Sequence, residues 1–212
     1  MADSLSELIT SWITAAPWLT MLWIAALGGC IGSFLNVVVY RLPTGMSLVH
    51  PGSRCPRCGH AVRAYDNLPV LSWLILRGRC RDCRAKIAGR YPIVEVSVAL
   101  LFAMQWWIDV IGVVRAPAGQ AVLARELVVF LLHVSLVCTL LAAALIDRDG
   151  HRVPWTIVWP LAVIALSSCL LRPDAVRSIR PVVAEGRALL GWRLLWEAAL
   201  GGLFAATCAG CW

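Results

Sequence analysis

Four cysteines in two closely spaced pairs are the residues of this sequence best suited to binding a metal. The chain reads Cys55-Pro-Arg-Cys58 and, twenty-one residues later, Cys80-Arg-Asp-Cys83. Two facing Cys-x-x-Cys turns supply the four sulfur ligands that Zn²⁺ takes in structural sites. Alternatives are a redox-active pair, or thiols that are unrelated or disulfide-bonded. The spacing favours a closed four-cysteine zinc site, which has no open position for a catalytic water.

A second group with possible chemistry is the charged run Ile146-Asp-Arg-Asp-Gly-His-Arg-Val-Pro154, which follows an apolar stretch. Aspartic proteolysis needs two carboxylates that share a proton, so that one activates water while the other protonates the peptide carbonyl. Asp147 and Asp149 are two positions apart and point to different sides of a helix, so they do not form an obvious dyad. From the residues alone, a solvated turn balanced by arginines is favoured over a catalytic site.

The elements that must position these residues are strongly apolar. Hydrophobic residues make up 60% of the 212-residue chain and charged residues only 15%, which is unusual for a soluble domain. Apolar stretches near residues 17–40, 93–114, 126–146, 154–171 and 189–212 are candidate membrane helices. We therefore predict an all-α integral membrane protein with about five transmembrane helices. Its parts are an outer amino terminus with the first helix (1–40), a zinc-binding loop (41–92) and a membrane domain (93–212).

The charge of the loop predicts its side of the membrane. Residues 41–92 carry ten basic residues against two acidic ones, whereas the whole chain has a net charge of +7. A basic loop between apolar spans indicates the cytoplasmic face, where it can also attract anionic lipid headgroups. A nucleic-acid-binding zinc ribbon is disfavoured, because Tyr65, Trp73 and Tyr91 are too scattered for a stacking platform.

Several small or polar residues lie within the predicted spans. Gly28, Gly29 and Gly32 form a small-residue face that lets another helix approach closely. Asp109 is predicted at the water boundary of the second span. His133 is predicted to pack with a helix-to-helix hydrogen bond, the commoner role for a lone histidine in a span.

Three further runs carry a family resemblance. They are Gly32-Ser-Phe-Leu-Asn-Val-Val-Val-Tyr-Arg-Leu-Pro43, Tyr65-Asp-Asn-Leu-Pro-Val-Leu-Ser-Trp73 and Arg90-Tyr-Pro-Ile-Val-Glu95. Together with the cysteine pairs, they resemble bacterial prepilin peptidases (type IV leader peptidases) over about residues 28–160. The resemblance implies a multi-pass enzyme of the bacterial inner membrane. Such enzymes cleave the basic leaders of type IV prepilins and type II secretion pseudopilins at the cytoplasmic face, and many then methylate the new amino terminus with S-adenosylmethionine.

The resemblance also implies residue roles. Peptide cleavage in the family uses two aspartates, the first in an Asp-x-x-x-x-x-x-Pro pattern that Asp147 and Pro154 match, so Asp147 is expected to be catalytic. Since the zinc loop and the leader are both basic, acidic groups must contact the leader. Asp66, Glu95 and Asp149 are the candidates.

The second family aspartate lies in a Gly-x-Gly-Asp motif that this sequence does not contain. We therefore expect that these 212 residues do not cleave prepilin alone. A fragment, a frameshifted copy or a separate chain that supplies the missing half would account for the absence. The alternative is a non-catalytic membrane assembly factor that binds prepilins.

Overall fold

The computed structural model describes residues 2–112 and 123–171, with side chains for 7–112 and 123–167. The described residues contain no β-strand, only two isolated bridges, Arg54 to Ala61 and Arg79 to Lys86. A short 3₁₀ turn spans Ala64–Asn67, and a π-helical turn, Trp107–Ile111, continues the fourth helix. The helices are α1 (Ala2–Ala15), α2 (Pro17–Arg41), α3 (Leu71–Ile75), α4 (Arg90–Trp106), α5 (Leu123–Arg148) and α6 (Trp155–Leu171).

Three helical segments are long and apolar enough to cross a membrane: Pro17–Arg41, Arg90–Ile111 and Leu123–Arg148. They coincide with the first three predicted spans to within a few residues. α6 coincides with the fourth predicted span, although its described apolar part is shorter than the other three. The predicted span over residues 189–212 lies outside the described residues. The predicted all-α membrane architecture is confirmed.

The sequence pattern predicts no helix before Pro17, yet α1 covers fourteen of the first residues of the chain. Pro17 in the first turn of α2 separates the two helices, because proline has no N–H to continue the α1 hydrogen-bond ladder. Thr10 and Ile13 are buried, and Ile13 belongs to the main apolar core. The amino-terminal segment is thus a helix that packs on the bundle.

Glycines bring α2 and α4 into close contact. A Cβ placed at Gly28 would lie 2.8 Å from the Cβ of Phe102, and one at Gly32 would lie 2.9 Å from the Cα of Glu95. Only glycine leaves room for two backbones at this separation. The predicted small-residue face is therefore confirmed as a helix–helix interface at Gly28 and Gly32, along which the two helices run antiparallel, whereas Gly29 faces Pro69 of the loop.

Aromatic side chains fill the space between α4 and α5. The rings of Trp106 and Phe130 meet edge to face with centroids 5.2 Å apart, the preferred geometry for an aromatic pair. The indole Nε1 of Trp106 donates a hydrogen bond of 3.2 Å to Thr20 Oγ1 on α2. This contact ties three helices together and satisfies the buried indole N–H.

The prediction that Asp109 lies at the water boundary is wrong. Its side chain is fully buried, and its Oδ2 lies 2.9 Å from Nδ1 of His133 and also accepts a hydrogen bond from the Gln105 amide. A buried carboxylate is tolerated because these polar partners replace water. The helix-to-helix hydrogen bond predicted for His133 is confirmed, with Asp109 as its partner.

Candidate metal centre and membrane-boundary carboxylates

The four predicted cysteine ligands converge on one point. Their Sγ atoms all lie within 4.8 Å of one another, and those of Cys55 and Cys83 are 3.7 Å apart. Four Zn–S bonds of about 2.3 Å in a tetrahedron place neighbouring sulfurs about 3.7 to 3.8 Å apart. The thiol set therefore fits a zinc ion in both chemistry and spacing.

The two cysteine pairs are held by the same backbone turn. In each, the amide of the first cysteine, Cys55 or Cys80, donates to the carbonyl five residues later, and the amide four residues later donates back, all within 2.8–3.1 Å. The residue at that fourth position has a positive φ in both turns, +72° at Gly59 and +58° at Arg84. Glycine adopts this conformation freely, whereas arginine adopts it at a cost.

Backbone amides also prepare one thiol for metal binding. The amide of Cys58, and then that of Arg57, lower the pKa of the Cys55 thiol to about 6. Hydrogen bonds to the charged form favour that form. The thiolate is the species that binds a metal, so these amides favour the ligating state of Cys55. Although a backbone hydrogen bond at His60 lowers it, the pKa of Cys58 is raised to about 12, because burial and the neighbouring cysteines together outweigh that bond.

Asp66 is bound by Arg81, which lies between the cysteines of the second pair. It accepts two hydrogen bonds from Arg81, of 2.8 Å from Nε and 2.6 Å from Nη2. The guanidinium also lies 5.4 Å from the centre of the Tyr65 ring, a cation–π distance. The hydrogen bonds from Arg81 lower the pKa of Asp66. This pair connects the 3₁₀ turn to Cys80 and Cys83.

Glu95 joins the loop to the membrane helices. It is buried, and its Oε2 accepts a 2.6 Å hydrogen bond from the backbone N–H of Val70. Val70 has a φ of +61°, which a β-branched residue adopts only when its surroundings impose it. Nearby, the Asn36 amide donates to the Tyr91 carbonyl at 3.3 Å. Glu95 thus anchors the loop to α4.

Asp149 pairs with the first residue of α4. Arg90 Nη1 donates to both of its carboxylate oxygens, at 2.7 and 2.8 Å. The end of α5 therefore lies next to the point where the cysteine loop ends. Arg41 and Arg90 lie at the two ends of this loop. The loop and the 147–153 turn therefore lie at the same end of the bundle.

Asp147 lies in the last turn of α5 and is exposed. Among the described residues its carboxylate has no ion pair and no hydrogen bond. The helix closes behind it with a Schellman motif, in which Gly150 N–H donates to the Asp147 carbonyl and His151 N–H to the Ile146 carbonyl. The φ of +76° at Gly150 explains the glycine at that position.

At this end of the bundle the arrangement offers one carboxylate without a partner among the described residues, that of Asp147, beside the loop that carries the four cysteines. It does not pair Asp147 with Asp149, whose carboxylate is bound by Arg90. Sequence reasoning missed the partners Arg81 and Arg90, which are far from their carboxylates in the chain. It also missed the buried contact of Gln105 and Asp109, although their i, i+4 spacing on one helix was a usable signal.

Comparison with known proteins identifies related sequences. Residues 26–108 match the bacterial peptidase A24 N-terminal domain. A prepilin leader peptidase/N-methyltransferase of Myxococcus xanthus is 42% identical over 183 residues, which are 82% of this chain and 50% of the relative. One of Pseudomonas putida is 37% identical over 197 residues, 80% of this chain and 60% of the relative.

A further relative is the type 4 prepilin-like proteins leader peptide-processing enzyme of Escherichia coli. It is 37% identical over 181 residues, 74% of this chain and 62% of the relative. The chain thus spans between 50% and 62% of the length of these three curated relatives. No solved structure matches the chain.

Proposed function

We propose that this chain forms part of a prepilin and pseudopilin leader peptidase. The proposal starts from residues 26–108, which match the bacterial peptidase A24 N-terminal domain family. The relatives that carry this activity in their names match most of the chain. Three membrane-length helices and a cluster of four cysteines are in keeping with a membrane enzyme that has a metal-stabilised loop. We propose the bacterial inner membrane as its location, with the loop and Asp147 on the cytoplasmic side.

The observation that carries the proposal is the position of Asp147. Its carboxylate is exposed in the last turn of α5, at the same end of the bundle as the cysteine loop, and has no partner among the described residues. In aspartic proteolysis one carboxylate takes a proton from water while a second protonates the peptide carbonyl. We assign Asp147 to this pair.

These 212 residues contain no Gly-x-Gly-Asp motif to supply the second carboxylate. We propose that this sequence does not cleave prepilin by itself, and that the partner aspartate comes from further sequence or from a separate chain. The same requirement applies to any substrate, because a single carboxylate cannot act as acid and base at once.

The cysteine site has a structural role in this proposal. Cys55, Cys58, Cys80 and Cys83 would hold Zn²⁺ with all four positions filled, which stabilises the loop and leaves no site for a metal-bound water. The methylation named for the relatives would use S-adenosylmethionine as methyl donor for the new terminal amine.

Acidic residues of the loop and of the turn after α5 would contact the basic leader. Asp66 and Asp149 remain our proposed contacts, although each already pairs with an arginine that the leader's cations would have to compete with. Glu95 is buried and bonded to Val70, so we propose that it positions the loop rather than contacting the leader.

A reconstituted cleavage assay tests the function. The chain in detergent is mixed with prepilin, with and without the part of the Myxococcus xanthus relative that this chain does not cover. We expect cleavage only in the mixture, and we expect Asp147→Asn to abolish it. Asp82→Asn is the matched control, because Asp82 is an exposed loop carboxylate with a long 3.4 Å ion pair.

Each outcome has a distinct meaning. Cleavage that persists in Asp147→Asn would remove this residue from the catalytic pair. Prepilin binding without cleavage in both conditions would favour the assembly-factor alternative. Cleavage by the chain alone, lost in Asp147→Asn, would show that a second carboxylate lies within these residues.

A further inference from the structure

One part of the cysteine loop lies beside the middle of α2 instead of beyond its end. We call residues 67–76 the wedge. A Cβ placed at Gly29 would lie 3.5 Å from the Cβ of Pro69. Asn67 and Pro69 also line a cavity of about 290 Å³ together with Cys30. Gly29 precedes Arg41, the last residue of α2, by a helical rise of about 18 Å.

This position corresponds to hydrocarbon depth. The 25 residues of α2 extend about 37 Å, whereas the hydrocarbon core of a bilayer is about 30 Å thick. α2 is thus about 7 Å longer than the hydrocarbon core is thick. Even if all of this extra length projects from the membrane at the loop end of α2, Gly29 lies about 10 Å below the hydrocarbon boundary. α4 gives a shallower placement on the same side of the boundary, because Glu95, which binds Val70, lies about 7.5 Å along the helix from Arg90.

Six backbone amides of the wedge, those of Leu68, Val70, Leu71, Ser72, Leu74 and Leu76, donate to acceptors within the protein. The Leu68 amide donates to Ser72 Oγ at 3.1 Å, and the Val70 amide donates to Glu95. Amides later in the wedge donate to carbonyls within it, including Leu74 to Val70 and Leu76 to Ser72. Non-helical backbone is tolerated at membrane depth only when its polar groups find such partners.

Apart from Asn67 at its start, the outer surface of the wedge is apolar. Its four exposed large side chains include Ile75, which is 73% exposed. On α4, whose Glu95 binds the wedge, Ile93 and Leu100 are likewise 66% and 65% exposed. Arg77 and Arg79 follow the wedge directly. An apolar face with flanking arginines is the pattern of segments that lie in the interface of an anionic bilayer.

We propose that the wedge is immersed in the membrane leaflet on the loop side. Its exposed side chains contact acyl chains, and the arginines that follow it reach the anionic headgroups. At that depth no water is present to accept a hydrogen bond from the Val70 amide, and Glu95 supplies the acceptor instead. The inference rests on the membrane assignment and not on peptidase activity. The lipid-facing residues of the wedge are Leu68, Leu71, Leu74 and Ile75.

Photocrosslinking of the full chain tests the wedge. The substitution Ile75→p-benzoylphenylalanine is compared with the same substitution at Val62, which is also exposed but lies beside the first cysteine pair. A third variant at Leu100, on the apolar face of α4, is the positive control. The proteins are irradiated in vesicles of phosphatidylethanolamine and phosphatidylglycerol, and lipid adducts are measured by mass spectrometry. Equal zinc content in all three establishes that the loop is folded.

We expect acyl-chain adducts at Ile75 at the level of Leu100 and several-fold above Val62. Adducts at Ile75 no more frequent than at Val62, while Leu100 reacts, would overturn the proposal. Crosslinks from Ile75 to a second copy, or to another part of the same chain, would overturn it too, because the surface would then be covered by protein.

Discussion

The interface of α2 and α4 allows a sharp test, because neighbouring glycines differ in what surrounds them. At Gly32 an added Cβ would lie 2.9 Å from the Cα of Glu95 and 3.2 Å from the Val94 carbonyl oxygen. Both atoms belong to the backbone, so α4 itself must move. Such overpacking costs about 1 to 3 kcal/mol. At Gly29 the nearest atom is 3.5 Å away, an ordinary contact.

Gly32→Ala and Gly29→Ala therefore form a matched pair. Both gain about 1 kcal/mol of helix propensity, which cancels in the comparison, so Gly32→Ala should be less stable than Gly29→Ala by about 1 to 3 kcal/mol. Since the shift displaces Glu95, Gly32→Ala should also release zinc at a lower chelator concentration. The assay is unfolding in mixed micelles with increasing dodecyl sulfate, followed by circular dichroism. Equal stability of the two variants would refute the close approach of the helices.

The loop and its metal site allow three more predictions. Cys83→Ser should abolish stoichiometric zinc binding, measured by elemental analysis of the purified protein, because a structural site needs all four ligands; full zinc retention would argue against the four-cysteine site. Gly59→Ala should destabilise the loop by about 1 kcal/mol, whereas Arg84→Gly should be neutral or stabilising, because both positions have positive φ. Chelator titration measures both, and a reversed order would contradict the shared turn. Arg81 lowers the pKa of Asp66, so the pair stabilises the fold above about pH 4 and loses this effect as the pH falls below the folded pKa. The stability difference between wild type and Asp66→Asn should hold from neutral pH to about pH 5 and shrink below about pH 4; a difference independent of pH would exclude the ion pair as its cause.

Predictions from sequence succeeded where the signal is local. The spacing within Cys55-x-x-Cys58 depends on a single turn, and apolar runs such as residues 17–40 predict a helix without knowledge of its neighbours. The glycine face of α2 was predictable for the same reason, since residues three and four apart share one side of a helix.

Predictions failed or stopped short where the partner is distant in the chain. The sequence predicts Asp109 at the water boundary, because it does not show that Nδ1 of His133, on another helix, lies 2.9 Å from the Asp109 carboxylate. Glu95 resembles a surface carboxylate in the sequence. In the structure the loop folds back onto α4, and Glu95 accepts a hydrogen bond from the backbone amide of Val70 in that loop. Neither partnership leaves a periodic pattern in the sequence.

The amino-acid sequence by itself determined the class of this protein, because hydrophobic periodicity and cysteine spacing depend only on residues close in the chain. It was sufficient for the three membrane-length helices and for the four cysteines that converge, whereas the expectation for Asp147 came from the family resemblance. The tertiary structure alone decided which carboxylates are engaged and where the loop lies. Those outcomes depend on long-range contacts, such as Arg90 with Asp149 and Pro69 against α2, which form only when the helices pack.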